Sequence, residues 1–252
     1  MNAYNKFAKI YDTLIYEDID YLSWSKFILD KYNSFNNEKD DYLDIGCGTG
    51  NLAINIVPFF NNNWCVDLSE DMLIMAENKF RGKKLKAKFV RQDMRALNLN
   101  RKFDLITCSM DCTNYLTEDG DLVKFFTCIR NHLKDQGLFV FDINSQYKLE
   151  NILANNTFTY NEEDIVYIWE NTLEGNLLEM YLTFFIKDGD LYDRFDEVHL
   201  ERIYREDEIA KALEDSGLSI ASKLDNYTDS SVKTTTERIT YFVRKNFSRG
   251  EW

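Results

Sequence analysis

Three glycines and two acids form the part of this sequence that is best suited to binding a ligand. The stretch YLDIGCGTGNLA contains Gly46, Gly48 and Gly50, and Asp44 stands two residues before the first glycine. Glycine weakens the interior of helices and strands, so this density indicates a sharp turn where the backbone approaches another group closely. Asp67 lies further along, at the end of the next apolar run, in VDLSEDML. An acid at that distance can accept hydrogen bonds from both hydroxyls of a ribose, which predicts a nucleoside-like ligand.

The glycine spacing distinguishes between two nucleoside cofactors. Dinucleotide-binding folds use the pattern G-x-G-x-x-G, whereas this sequence has G-x-G-x-G, and Asn51 occupies the place of the third glycine. A carboxylate at Asp44 is unfavourable beside a pyrophosphate and favourable beside an ammonium group. S-adenosylmethionine carries an ammonium, a sulfonium and no phosphate. The pattern therefore favours S-adenosylmethionine, with a nicotinamide-dependent oxidoreductase as the alternative.

Alternating strands and helices must bring these residues to one edge of a sheet. Apolar runs that predict strands lie at residues 42–45, 63–67, 85–93, 102–110 and 137–144. Helical patterns separate them at residues 51–60, interrupted by Pro58, at 69–80, where Ser69 is the expected N-cap, and at 118–134, ended by Gly137. This alternation predicts an α/β fold with a doubly wound, mostly parallel sheet. In such sheets a ligand lies beyond the carboxyl ends of the strands, where helix N-termini offer N–H groups.

The flanking segments follow different patterns. Residues 4–35 have helical spacing with many aromatic residues and predict two helices broken near residues 17–20. Three strand-like runs between residues 158 and 204, with Asp188-Gly189 as a hairpin signal, predict an antiparallel meander. A helix at 206–216 and strands at 218–224 and 238–243 then return to the main sheet. We therefore expect three parts, which are an N-terminal helical cover at 1–36, a cofactor-binding α/β domain at 37–146 and 205–246, and an inserted β lid for substrate at 147–204.

Composition limits the classes of partner. The net charge is −13 and the pI is about 4.7, which argues against free nucleic acid as a partner, and the basic stretch RGKKLKAK reads as a solvated loop. No apolar run is long enough for a membrane span, and the N-terminus lacks a signal pattern, so we expect a cytoplasmic protein. The five cysteines include no Cys-x-x-Cys pair, so we expect reduced thiols and no metal site.

Four motifs in order resemble those of a known family. The segments LDIGCGTG, VDLSEDML, VRQDMRAL and FDLITCSMDCTNYL are similar to the successive motifs of class I S-adenosylmethionine-dependent methyltransferases. The resemblance is close over residues 42–144 and looser elsewhere. It implies an enzyme with a seven-stranded Rossmann-like sheet ending in an antiparallel hairpin, with S-adenosylmethionine as cofactor and S-adenosylhomocysteine as product.

The resemblance also implies roles for individual residues. Asp44 would orient the methionine ammonium, Gly46 and Gly48 would let the cofactor lie against the loop, Cys47 would contribute backbone, and Asp67 would hold the ribose hydroxyls. The remaining implied cofactor contacts are Leu68 and Met72 on the adenine, Asp93 and Met94 at the adenine amino group, Ser109 and Met110 near the sulfonium, and Tyr11 and Trp24 in the helical cover.

The chemistry needs alignment more than reactive side chains. Methyl transfer from a sulfonium is an in-line displacement, and a base is required only if the acceptor arrives protonated. The candidate catalytic residues are Tyr11, Asp111 and His199, whereas we expect His132 on the far side from the crevice, as a surface residue or as a partner of the helix C-terminus. The motif [DN]-P-P-[YF] of many DNA and protein amino methylases is absent, and an enclosed pocket suits a small-molecule acceptor with a nitrogen or oxygen nucleophile. A tRNA or protein substrate, and a non-catalytic cofactor-binding module, stay open as alternatives.

Overall fold

Two sheets make up most of the chain. The computed structural model describes residues 10–12, 14, 19–35 and 38–246, and the structural statements below refer to these residues. The strands are β1 Asp41–Ile45, β2 Asn62–Asp67, β3 Lys88–Arg91, β4 Phe103–Cys108, β5 Leu133–Asn144, β6 Thr157–Asn161, β7 Ile165–Glu174, β8 Leu177–Asp188, β9 Leu191–Arg202, β10 Leu218–Asp225 and β11 Arg238–Lys245. The α-helices are α1 Tyr21–Phe35, α2 Ala53–Ile56, α3 Glu70–Gly82, α4 Asp121–His132 and α5 Glu206–Asp215.

The larger sheet has seven strands in the order β10-β11-β5-β4-β1-β2-β3. Strands β1 to β5 pair in parallel, and β11 pairs antiparallel with both β5 and β10, which confirms the predicted doubly wound plan. The chain runs outward from β1 in both directions, because β1 pairs with β2 on one side and β4 on the other. This reversal creates a crevice beyond the carboxyl ends of β1, β2 and β4, where open α/β sheets bind ligands.

Layers of helices on both faces explain why the central strands are buried along their whole length. All five residues of β1 and all six of β4 are buried. Alternate side chains of β1 enter different cores: Leu43 packs in the cluster that holds Phe126 of α4, and Tyr42 packs in the cluster that holds Ile28 of α1. Burial on both faces is the general condition of parallel strands, and it fixes the strand ends in space.

The second sheet is antiparallel, with the order β6-β7-β8-β9. The Asp188-Gly189 hairpin is confirmed, because Gly189 has φ +63° in the connection between β8 and β9. The sequence predicts three strands here, and the structure adds β6. That strand escapes the sequence pattern because its residues alternate between exposed and half-buried positions and include no fully buried side chain. The division of the chain into three domains stays a prediction.

Several local expectations are corrected. The helix after the glycine loop spans only Ala53–Ile56 and continues as a 3₁₀ turn around Pro58. Helix α4 ends at His132, and β5 begins at the next residue, so Gly137 lies within a strand. His132 is buried instead of exposed, and its Nε2 accepts a hydrogen bond from the Leu99 N–H at 3.0 Å. Its Nδ1 lies 2.7 Å from the Cys128 carbonyl oxygen in the last turn of α4, which fits the alternative of a helix C-terminal partner. The break near residues 17–20 and most of the first predicted helix lie outside the described residues.

The described residues include neither a candidate membrane span nor a cluster of potential metal ligands. None of their helices combines the length and the apolarity needed to cross a bilayer. All five cysteines are free thiols, and no cluster of three or more potential metal ligands occurs within residues 10–12, 14, 19–35 and 38–246.

Candidate active site

The three clustered glycines serve different purposes. Each adopts a positive φ, of +63°, +52° and +78° in turn, which L-residues rarely adopt. A Cβ at Gly46 would lie 2.6 Å from the Cys112 Sγ, and one at Gly50 would lie 2.9 Å from the Phe80 ring. A Cβ at Gly48 would meet nothing within 4 Å. Gly48 therefore marks the place where bare backbone faces the crevice, and Gly50 marks a packing contact.

This difference predicts opposite effects of two substitutions. Gly48→Ala is expected to cost about 1–2 kcal/mol of stability through its backbone strain and to weaken S-adenosylhomocysteine binding at least about ten-fold, because the methyl group extends into the crevice. Gly50→Ala is expected to destabilise the fold more, since it also overlaps Phe80, with a smaller effect on binding by the folded protein. Calorimetric titration and thermal unfolding measure the two effects. Equal losses of affinity in both variants would contradict this assignment.

Asp67 joins the glycine loop to the end of β2. Its Oδ2 accepts a hydrogen bond from the Gly48 N–H at 2.8 Å, and its Oδ1 accepts one from the Ser69 N–H at 2.8 Å. Burial raises the pKa of Asp67 above its ordinary value. Each carboxylate oxygen retains a further lone pair, so the same side chain can shape the loop and accept hydroxyl donors.

Asp44 is a buried carboxyl group without a cationic partner among the described residues. It is 2% exposed, and its Oδ1 accepts a hydrogen bond from the Thr107 hydroxyl at 2.6 Å. That hydroxyl in turn bonds the Tyr42 hydroxyl at 2.8 Å. Burial raises the pKa of Asp44 to about 7. The one hydrogen-bond donor to this buried acid among the described residues is a neutral hydroxyl. Asp44 is therefore suited to a ligand that carries a positive charge.

The opposite end of the crevice carries a carboxylate that is already engaged. Arg95 Nε donates a hydrogen bond to Asp93 Oδ1 at 3.0 Å, and Arg95 Nη1 donates one to Asp121 Oδ2 at 2.9 Å. The hydrogen bonds from Arg95 hold the pKa of Asp93 below its ordinary value. Any further donor to Asp93 must therefore share an oxygen with Arg95.

A single cavity of about 980 Å³ connects these groups. This volume is at the upper end of the range of about 300–1,000 Å³ that is usual for small-molecule sites. All predicted site residues except Trp24 and Asp111 line it: Tyr11, Asp44, Gly46, Cys47, Gly48, Asp67, Leu68, Met72, Asp93, Met94, Ser109, Met110 and His199. The structure thus brings them to one space, and their contacts with a ligand stay predictions.

Trp24 belongs to the core instead of the cavity wall. It is 7% exposed, and its ring stacks on Tyr227 with the centroids 4.1 Å apart. The Arg238 guanidinium lies 5.5 Å from the ring centroid. These contacts occupy the indole, so the expectation that Trp24 covers the cofactor is corrected to a packing role.

Asp111 is also unsuited to the role of a base. Met110 and Asp111 both have left-handed backbones, with φ of 60° and 51°, and their N–H groups donate to the Asp142 carboxylate at 3.0 and 2.8 Å. The Asp111 carboxylate accepts a hydrogen bond from Arg238 Nη2 at 2.7 Å. The arginine thus occupies the carboxylate, and Asp111 is absent from the described residues that line the cavity. Its structural role is to hold the end of β4.

The sequence did not predict a tie between the N-terminal segment and the glycine loop. Asp12 Oδ1 accepts hydrogen bonds from the Thr49 hydroxyl and, at 2.9 Å, from the Asn51 amide, and its Oδ2 pairs with Lys79 Nζ at 2.7 Å. Tyr11, the residue before Asp12, lines the cavity. Asn51, read only as the residue that breaks the dinucleotide pattern, thus has a positive role in docking the cover.

His199 and Tyr115 form a pair in the cavity wall. The Tyr115 hydroxyl lies 3.3 Å from His199 Nδ1, and the two rings meet edge to face at 5.9 Å. Burial lowers the pKa of His199, so its imidazole is neutral at pH 7. Burial raises the pKa of the Tyr11 phenol, which makes that residue a poor base at neutral pH. Of the three predicted catalytic residues, His199 is the one whose environment suits a proton acceptor.

Comparison with known proteins finds methyltransferases among the relatives of this chain. The sequence profile of a family described as "Methyltransferase domain" matches residues 43–137. The chain is 52% identical to an S-adenosylmethionine-dependent methyltransferase from Clostridium acetobutylicum ATCC 824, whose crystal structure superposes with a TM-score of 0.92 over 98% of this chain and 100% of the other.

Two more distant similarities involve enzymes that act on amino sugars. The chain is 25% identical to the dTDP-3-amino-3,4,6-trideoxy-alpha-D-glucopyranose N,N-dimethyltransferase of Streptomyces venezuelae, over 80% of this chain and 84% of that protein. It also shares its fold with an S-adenosylmethionine-bound amino pentose methyltransferase from Micromonospora echinaspora, at 18% identity and a TM-score of 0.75, over 92% of this chain and 96% of the other.

Proposed function

Because this chain belongs to the class I S-adenosylmethionine-dependent methyltransferases, we propose that it methylates a nitrogen nucleophile on a small-molecule acceptor, with an oxygen nucleophile as the second candidate. The observation that carries this proposal is the neutral His199, paired with Tyr115, in the same cavity as the glycine loop. A half-buried, neutral imidazole can accept the proton of an ammonium acceptor. The amino sugar named for the Streptomyces venezuelae relative supports this acceptor class.

The cofactor supplies a methyl group that its sulfonium charge activates. We assign Asp44 to the ammonium of this cofactor, since it is a buried acid that lines the cavity and has no cationic partner among the described residues. Asp67 would accept the ribose hydroxyls through its remaining lone pairs, and Gly48 would offer bare backbone. Leu68 and Met72 line the same cavity and would pack on the adenine ring.

His199 would act on the acceptor before bond formation. An amine of ordinary basicity is mostly protonated at neutral pH, and its nitrogen lone pair is then unavailable as a nucleophile. In the tautomer whose Nδ1–H donates to the Tyr115 oxygen, the Nε2 lone pair can accept that proton. Tyr115 fixes the ring orientation, and the buried surroundings keep the imidazole neutral so that it is ready to accept.

Charge and enclosure favour a small acceptor over a macromolecule. The net charge of −13 repels a polyanionic backbone, and Arg91 and Arg95 are the only lysine or arginine residues among the described residues that line the cavity. A tRNA or protein substrate is the competing reading, and it makes a different experimental prediction.

Labelled cofactor distinguishes these acceptors directly. The protein is incubated with methyl-labelled S-adenosylmethionine and a bacterial cell extract that is then fractionated by size. Label is expected in the small-molecule fraction, with Asp44→Asn as the control that removes cofactor binding. Mass spectrometry of the labelled compound would then identify the methylated atom. Label in RNA or protein alone would overturn the small-molecule proposal.

A further inference from the structure

We propose that Glu197 anchors an acceptor-binding subsite on the inner face of the antiparallel sheet, and that this subsite takes an ammonium or hydroxyl group of the acceptor. The inner face is the side of β7 to β9 that carries Glu197, His199 and Glu201. The inference rests on the proposed function, because it assigns this face to the same small-molecule acceptor that His199 would deprotonate.

Strand geometry places Glu197 on the same face of β9 as a residue of the cavity wall. Alternate residues of a strand point to the same side, so Glu197, His199 and Glu201 share one face of β9. His199 lines the cavity, and Glu201 accepts a hydrogen bond from the Asn144 amide, at the end of β5, at 2.9 Å. The Glu201 end of the inner face therefore lies at the carboxyl ends of the main sheet. Glu197 is the next residue on this face beyond His199.

Glu197 is buried without a partner. Its residue is 3% exposed, and its Oε1 has neither a hydrogen-bond donor nor a cation within the described part of the chain. Burial raises the pKa of this carboxyl group. Leaving a buried polar atom unsatisfied costs about 1–3 kcal/mol and more for a charged group, so native proteins keep few of them. Glu201 on the same strand shows the ordinary solution, since Asn144 satisfies it.

Two other residues on the inner face each carry one buried polar atom without a hydrogen-bond partner among the described residues. Trp169 lies in one cross-strand row with Leu182 and Glu197, and Asn171 lies in the next row, which ends at His199. The Trp169 Nε1 donor and the Asn171 Oδ1 acceptor are buried and unsatisfied within the described residues. Both atoms lie on β7, two strands or about 9.5 Å from β9, and Trp169 packs in the cluster that holds Leu149, so Glu197 is the group nearest to His199. Because Glu197 is the only acid among these three residues, it favours the ligand group with the greatest positive charge.

The test separates acceptor binding from cofactor binding. Initial rates of labelling are measured while the small-molecule fraction of the extract is diluted serially, with Glu197→Gln, Glu197→Leu and the wild type. Both variants are expected to need about ten-fold more concentrated extract for half-maximal labelling, with a smaller change in the saturating rate. Calorimetry is expected to show unchanged S-adenosylhomocysteine affinity. Glu179→Gln on the exposed outer face of β8 is the matched control and is expected to behave as wild type.

The outcomes are distinguishable. Wild-type concentration dependence in Glu197→Gln and Glu197→Leu, with label still in small molecules, would overturn the subsite and leave the proposed function intact. Equal loss of S-adenosylhomocysteine affinity would show that Glu197 acts on the fold and would also overturn the subsite. Label confined to RNA or protein in the wild type would overturn both proposals.

Discussion

Asp44→Asn is expected to abolish measurable S-adenosylhomocysteine binding while making the ligand-free protein more stable. The carboxyl group is buried, its pKa is raised to about 7, and no described residue neutralises it. An ammonium-bearing ligand would supply the missing charge, so binding is expected to weaken at least about 100-fold when the acid is removed. Asparagine keeps the size of the side chain without a buried charge.

The pH dependence of stability and of ligand binding follows from the raised pKa of Asp44. In the ligand-free protein Asp44 stays protonated up to about pH 7, whereas in the unfolded chain it ionises near its ordinary value of about 3.9. The folded form therefore binds more protons between these values, and stability falls as the pH rises through this window, by up to about 4 kcal/mol. Asp44→Asn should lack this slope. Conversely, wild-type affinity for the cofactor product should weaken as the pH falls below about 7, with proton release on binding.

Asp41 provides a matched control at the other end of the same strand. Burial tends to raise the pKa of Asp41, but hydrogen bonds from Lys134 and Arg101 outweigh burial, and the pKa is lowered overall. Its charge therefore stabilises the fold above its ordinary pKa, and this contribution is lost as the pH falls. Asp41→Asn is expected to lower stability without changing affinity. Thermal unfolding and calorimetry across pH 5.5 to 8, roughly, would test both variants, and a flat affinity in the wild type would refute the role of Asp44.

His199→Ala is expected to lower kcat by about 10²–10⁴-fold, the usual contribution of general-base catalysis, with unchanged S-adenosylhomocysteine affinity. Tyr115→Phe removes the hydrogen bond to the ring and should give a smaller loss. Because burial lowers the pKa of His199, the wild-type rate should stay level through neutral pH and fall only below the ordinary value of about 6.5.

The acceptor for this measurement is the compound identified by labelling. A pH–rate profile of the wild type and of His199→Ala tests the assignment, because the acid limb should disappear in the variant. A rate that is unchanged in His199→Ala would show that the acceptor arrives unprotonated and that alignment alone supplies the catalysis.

The cofactor half of the site was predictable because its residues are set by local pattern. Strand periodicity places Asp44 and Asp67 at the ends of neighbouring parallel strands, and the run of glycines forces the turn between β1 and α2. Each of these features depends on residues close together in the sequence. Because parallel strands end at one edge of the sheet, any sheet of this topology brings Asp44, Asp67 and the glycine turn together. The resemblance to a family added the identity of the ligand.

The sequence proposed His199 and Asp111 as catalytic candidates, and the tertiary structure decided which groups surround each of them. Tyr115 meets His199 across 84 positions of sequence, and Arg238 meets Asp111 across 127, so no periodicity connects either pair. The arginine removed Asp111 from the candidate bases, and the position of the second sheet brought His199 into the cavity. A local pattern specifies the direction in which a strand or turn presents a side chain. Which groups it meets, and whether they neutralise it, depends on how distant elements pack.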